Sequence, residues 1–135
     1  WPERLSERSV QTLRQWWGDG RMRVAAAVRG RNQQEYLITH AGVTRMYWRS
    51  VLGAPDSAAG AAAALNAMIG QHDGLIFRGG QMLGSGPPKP GVGPVWAAAG
   101  TELLPSWLTW RPPFSQVHGH STLYSWQHGH FGTRR

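Results

Sequence analysis

The chain has 135 residues, of which 41% are hydrophobic and 16% charged, with a formal net charge of +7 and no cysteine. That length suits one domain, and the apolar content suffices for a core, so a disordered tail is excluded. Without cysteine there are no thiolate metal sites, disulfides or thiol nucleophiles. The positive charge sits on arginines scattered singly along the chain, with Lys89 the one lysine and Arg134-Arg135 the one run. A nucleic-acid binder concentrates such charge in a stripe or an arm, so nucleic acid is not the expected partner. No apolar run approaches the ~20 residues that span a bilayer. The opening "WPERLSERS" has no apolar stretch of signal-peptide type. No membrane partner and a cytoplasmic location are expected.

In chain order, residues 5–17 place Val10, Leu13 and Trp17 at helical spacing, with Gly18 suited to end the helix. "MRVAAAVRG" alternates Met22, Val24, Ala26 and Val28 against Arg23 and Arg29, which predicts a strand with one exposed face. Gly30-Arg31-Asn32 is a turn, and "EYLITH" is a second, more buried strand that completes a hairpin. "TRMYWRSVL" predicts a short helix closed by Gly53 and Pro55. Asp56-Ser57 caps the Ala-rich helix "AAGAAAALNAMIG", whose apolar contacts are expected from Leu65, Met68 and Ile69. Residues 79–95 are dense in Gly and Pro and predict a long loop. Residues 95–110 predict a short helix or irregular segment that buries tryptophan. "FSQV" is then a short strand and "STLYSW" the next one. The expected fold class is mixed α/β (α+β).

Two stretches carry the chemistry. "YLITHAGV" (36–43) and "SQVHGHST" (115–122) each run a β-like segment into histidine beside glycine. Neutral imidazole is the commonest metal ligand. A strand fixes its direction, and a neighbouring glycine lets backbone and ion come close. One such pair alone reads as a loop histidine bonded to solvent or to a carbonyl. The two together, in this order, raise a metal site.

These stretches resemble the last two signature blocks of the calcineurin-like metallophosphoesterase family, in the branch resembling bacterial and phage serine/threonine phosphatases. The likeness extends through "LITHAGVTRMYWRSVLG", "LNAMIG", "GPVWAAAGTELLPSW" and "PFSQVHGHST", over most of residues 36–126. It implies metal-dependent hydrolysis of phosphate esters on a helix-flanked β-sandwich, with two divalent ions (Mn²⁺, Fe²⁺ or Zn²⁺) at the strand ends. Residue by residue, it implies His40 and His120 as metal ligands, with Gly42, His118 and Gly119 lining the pocket. Thr122 stands where many members carry a further histidine, so no second ligand is expected from that loop. Two ions held ~3.5–4 Å apart polarise the phosphoryl oxygens and activate water, usually across a bridging carboxylate.

The family's earlier blocks, Asp-x-His, Gly-Asp-x-x-Asp and Gly-Asn-His-(Glu or Asp), have no counterpart here, and "GDG" at 18–20 lacks the second aspartate. The 135 residues therefore read as the C-terminal portion of one metallophosphoesterase domain, expected to be inactive alone. No phosphate-clamping arginine matches a motif; Arg45 and Arg78 are candidates by proximity in sequence only. Two other readings stay open. In one, His118, His120, His128 and His130 gather a single Zn²⁺ or Ni²⁺, since residues i and i+2 of a strand share a face. In the other, exposed tryptophans and the Gly/Pro loop make an interaction surface. The metallophosphoesterase reading requires His40 and His120 side by side at the ends of neighbouring strands. Side chains on opposite faces of the domain would dismiss it.

Overall fold

A computed structural model describes residues 6–84 and 86–121, with the backbone of two short strands at 124–125 and 130–131. Residues 25–39 fold as the hairpin their composition predicts. Strand β1 (Ala25–Arg29) pairs antiparallel with β2 (Glu35–Thr39), from Ala25 opposite Thr39 to Arg29 opposite Glu35. The pairing is reinforced at its turn end, where the Arg29 guanidinium meets the Glu35 carboxylate at 2.6 Å. Strand β3 (Ser115–His118) adds parallel to the other side of β2, giving the order β1-β2-β3. The architecture is thus mixed α/β: a small three-stranded sheet with several helices.

Helices cover one face of that sheet. Helix α2 (Arg45–Ser50) starts at Thr44, whose hydroxyl accepts from the Tyr47 N–H, and it buries Tyr47 and Trp48. Helix α3 (Ala58–Ala67) starts at Ser57, which accepts from the Gly60 N–H as expected of a cap. The alanines do more than fill: Ala58, Ala61 and Ala62 are buried with Leu65, and their small size lets the helix lie close on β1 and β2. Asn66 then fastens the free edge of β1. Its Oδ1 accepts from the Val24 and Ala25 amides at 3.0 and 3.2 Å, and its Nδ2 donates to the Ala25 carbonyl at 2.8 Å. Leu37, Tyr47, Leu65, Ile76 and Phe114 are fully buried at the centre. Each large apolar side chain removed from water contributes about 1.5–3 kcal/mol.

The opposite face of the sheet is open. The alternation of 22–28 predicts Met22, Val24, Ala26 and Val28 on one covered side, but of these only Val24 is buried. The register explains the difference: Ala26 opposes Ile38 and Val28 opposes Tyr36, on the side away from the buried Leu37. Val28, Ile38 and Val117 remain 48%, 37% and 48% exposed there. Helix α1 (Glu7–Gly18), capped by Ser6, also buries none of its residues. Its expected apolar face makes one aromatic contact, Trp17 stacked on Phe77 at 6.3 Å. The helix runs one residue past the predicted end, and the stop comes from Asp19 and from Gly20 at φ +77°.

Helix α4 (Asp73–Ile76) leads into the Gly/Pro loop, where a 3₁₀ turn spans Gln81–Leu83. A π-helical turn (Ala99–Leu103) continues into α5 (Leu104–Trp107). Trp48, Trp107 and Trp110 pack together with centroids 4.9–5.8 Å apart. Part of the predicted strand in "STLYSW" forms as β4 (Tyr124–Ser125), antiparallel to β5 (His130–Phe131). No helix among the described residues is long and apolar enough to cross a membrane.

Tyr47 offers a test of the core. Its hydroxyl faces the Met68 sulfur at 3.8 Å, a weak acceptor, and burial pushes its pKa up to about 12. An unfolded tyrosine ionises near pH ~10. The folded chain therefore keeps a proton that the unfolded chain loses, so this stabilisation is full below that pH and declines as pH rises toward 12. Denaturant unfolding should show wild type losing stability over this window more steeply than Tyr47→Phe. Parallel curves would contradict the buried phenol.

Candidate metal centre

The parallel register of β2 and β3 decides where the histidines go. Tyr36 pairs with Ser115 and Thr39 with His118, and the ladder continues one rung further through the Gly119 N–H donating to the His40 carbonyl at 3.0 Å. Both strands therefore end at the same edge of the sheet. His40 Nε2 lies 2.8 Å from His120 Nδ1, with ring centroids 4.7 Å apart. The structure brings together the two histidines on which the sequence reading depends, from positions 80 residues apart.

His120 is held in an unusual conformation. Its φ is +63°, and the Ser121 N–H donates to the Gly119 carbonyl at 2.7 Å, closing a three-residue turn around it. A non-glycine residue there costs about 1–3 kcal/mol and persists only where its surroundings over-determine it. Those surroundings are visible. The Ser121 hydroxyl accepts from the Ala99 N–H at 3.0 Å, and Trp96 meets the imidazole edge-on at 5.6 Å. His120 Nε2 is buried without a hydrogen-bond partner among the described residues. Burial holds this imidazole below its usual pKa, and any charge on His40 pushes the same way. Both effects favour the neutral ring, the form that donates a lone pair to a metal.

The pair can serve one ion. Tetrahedral zinc with metal–nitrogen bonds of about 2.0–2.1 Å sets two ligand nitrogens about 3.3 Å apart. The observed 2.8 Å is a direct imidazole–imidazole hydrogen bond, so the rings would part by about half an ångström to take one ion between them. No group of three or more His, Asp or Glu able to hold a metal occurs among the described residues, so the pair stands as two ligands without a third. Four of the seven carboxylates are committed elsewhere. Glu35 binds Arg29 and the Ala58 N–H, Asp19 pairs with Arg21, Asp73 accepts from the Gly70 N–H, and Glu102 accepts from three backbone amides.

The other predicted site residues differ in role. Gly42 is needed for a reason other than access to an ion: its φ is +92°, it is buried, and a Cβ there would collide with Leu103. Gly119 has open space, its nearest neighbour for a Cβ being the His40 carbonyl oxygen at 3.9 Å. His118 ends β3, and its Nδ1 lies 3.3 Å from the Gly119 carbonyl, apart from the His40–His120 contact. Strand alternation cannot carry it onto the face of His120, because the chain leaves extended geometry between them. Arg45 lies over the Trp110 ring and near Thr109, while Arg78 donates to the Gly91 carbonyl. His128 and the side chain of His130 lie outside the described residues. Trp96 and Ser121 were not singled out by sequence reasoning; the signal available for both was their place inside the quoted resemblance blocks.

The strained turn is directly testable. Ala and Gly both remove the imidazole, but only Gly is comfortable at positive φ. His120→Gly should be more stable than His120→Ala by about 1–2 kcal/mol in denaturant unfolding. Equal stabilities would contradict the left-handed backbone at His120.

Compared with protein-family models, with curated proteins and with solved structures, the chain matches none, so its functional reading stands on the residues and geometry of the site.

Proposed function

We propose that His40 and His120 supply the imidazole side of a divalent-metal centre for hydrolysis of phosphate esters, in a domain of helix-flanked β-sandwich type. The observation that carries the proposal is the pair itself: two imidazole nitrogens at 2.8 Å, one of them on a strained turn. Strain of this kind collects where a side chain must be aimed. The open sheet face adds support, since a sandwich would cover Val28, Ile38 and Val117 with a second sheet.

Mn²⁺, Fe²⁺ and Zn²⁺ all suit imidazole combined with oxygen donors. When bound, such ions supply Lewis acidity toward the phosphoryl oxygens and a nucleophilic hydroxide at neutral pH. The residues of this chain hold and aim. His40 and His120 present lone pairs from rigid strand ends, Trp96 shields one edge of His120, and Ser121 fixes the turn. Two cations ~3.5–4 Å apart repel strongly unless anionic groups lie between them. Asp19, Glu35, Asp73 and Glu102 face other partners and no third ligand joins the pair among the described residues, so the reading assigns the bridging aspartate and the remaining ligands to the earlier family blocks that this sequence lacks. The phosphate-binding group and the acid for the leaving oxygen are likewise unassigned on this chain.

Calorimetric titration of the 135-residue chain with Zn²⁺ or Mn²⁺ should give one weak site. His40→Ala or His120→Ala should abolish it. With Mn²⁺ present, hydrolysis of a simple aryl phosphate should be negligible. Metal-dependent turnover by this chain alone would contradict the proposed division of ligands. Zn²⁺ binding that survives loss of both His40 and His120 but disappears with His128 and His130 would favour the four-histidine module instead.

A further inference from the structure

Glu102 is 3% exposed, sits in the π-helical turn, and none of the chemistry above uses it. Its Oε1 accepts from the Gln81 and Lys89 amides at 2.9 and 2.8 Å, and its Oε2 from the Ala98 amide at 2.9 Å. One buried carboxylate thus gathers both ends and the middle of the Gly/Pro loop. The loop is shaped to admit it. Gly80 is buried, and a Cβ there would stand 2.5 Å from Glu102 Oε2. Gly93 lies so close on the α4 backbone that a Cβ would strike the Leu75 and Ile76 carbonyls.

The same loop touches the histidine pair from several directions. The Pro94 carbonyl accepts from the Ala41 N–H at 2.8 Å, directly after His40. Trp96 packs its ring against the His120 edge. Ala99, next to the Ala98 amide that Glu102 holds, donates to the Ser121 hydroxyl beside His120. We infer that Glu102 is a positioning residue for the His40–His120 pair, acting through the loop of residues 80–98. A buried acceptor that lost its donors would be costly, so loop and carboxylate are set together. Both carboxylate oxygens are required, because a glutamine would turn its NH₂ toward an amide donor at one of the two positions. Only the consequence for metal affinity rests on the phosphoesterase reading; the placement of the rings does not.

The test is nitrogen-15 NMR of the histidine side chains in the metal-free 135-residue protein, for wild type and three variants. Glu102→Gln should shift the imidazole nitrogens of both His40 and His120 and lose the cross-relaxation between Trp96 and His120. Lys89→Pro deletes one donor to Glu102 on an exposed stretch, and should shift the same signals in the same direction by less. Asn66→Ala loosens the edge of β1 and serves as the control: it should lower stability while leaving both rings in place. Zn²⁺ titration should then show an affinity about tenfold weaker in Glu102→Gln, the usual scale for a lost supporting contact. Unmoved histidine signals in Glu102→Gln, or in Lys89→Pro if the first variant does not fold, would overturn the inference. So would a shift of equal size in Asn66→Ala. Absence of Zn²⁺ binding in wild type would remove the metal reading and leave the positioning result standing.

Discussion

The parallel pairing of β2 with β3 is the constraint on which the rest depends. Parallel neighbours cannot be joined by a tight turn, so the chain must leave the sheet and return. Residues 40–114 make that crossover, and they contain α2 to α5 and most of the buried core. Register matters as much as direction. A slip of one residue would send every side chain of β3 to the opposite face and separate His120 from His40. What holds the register is burial of Leu37 and Phe114 together with Gln116. Its Oε1 accepts from the Val43 N–H and its Nε2 donates to the Val43 carbonyl, which ties β3 to the chain just beyond His40.

At the strand ends, stability is spent on placement. A left-handed histidine and a buried ring nitrogen without a partner among the described residues both disfavour the fold locally, while the two imidazoles bond to each other. Each would be relieved by a cheaper residue. Their coincidence at one point is the physical argument for a site, because an ordinary loop histidine would relax into water. Around them, the fixed elements are polar and saturated: the Ser121 hydroxyl, the Ala41 amide and the cradle of Glu102.

Much of the local structure was legible in the sequence because its signals are local. Ser57 caps its helix, "EYLITH" reads as a more buried strand, and the turn at 30–32 closes the hairpin. The meeting of His40 and His120 was legible only through a motif resemblance, since nothing in composition brings together residues so far apart. Other features lacked any local mark. Which face of β1 is covered depends on where α3 lands, so Val28 was placed on the wrong side. The positive φ of His120 carries no residue signature, because glycine is adjacent and would have been the expected occupant. Glu102 reads as a surface acid until three backbone amides, two of them 13 and 21 residues away, converge on it.

The central claim is that the two histidines meet in order to share a metal ion. Crystals of the protein grown with Zn²⁺, measured at the zinc absorption edge, test it most directly. The account predicts one anomalous peak within about 2.0–2.2 Å of a ring nitrogen of both His40 and His120. A peak held by His118, His128 or His130 without His40, or no peak at saturating Zn²⁺, would contradict it.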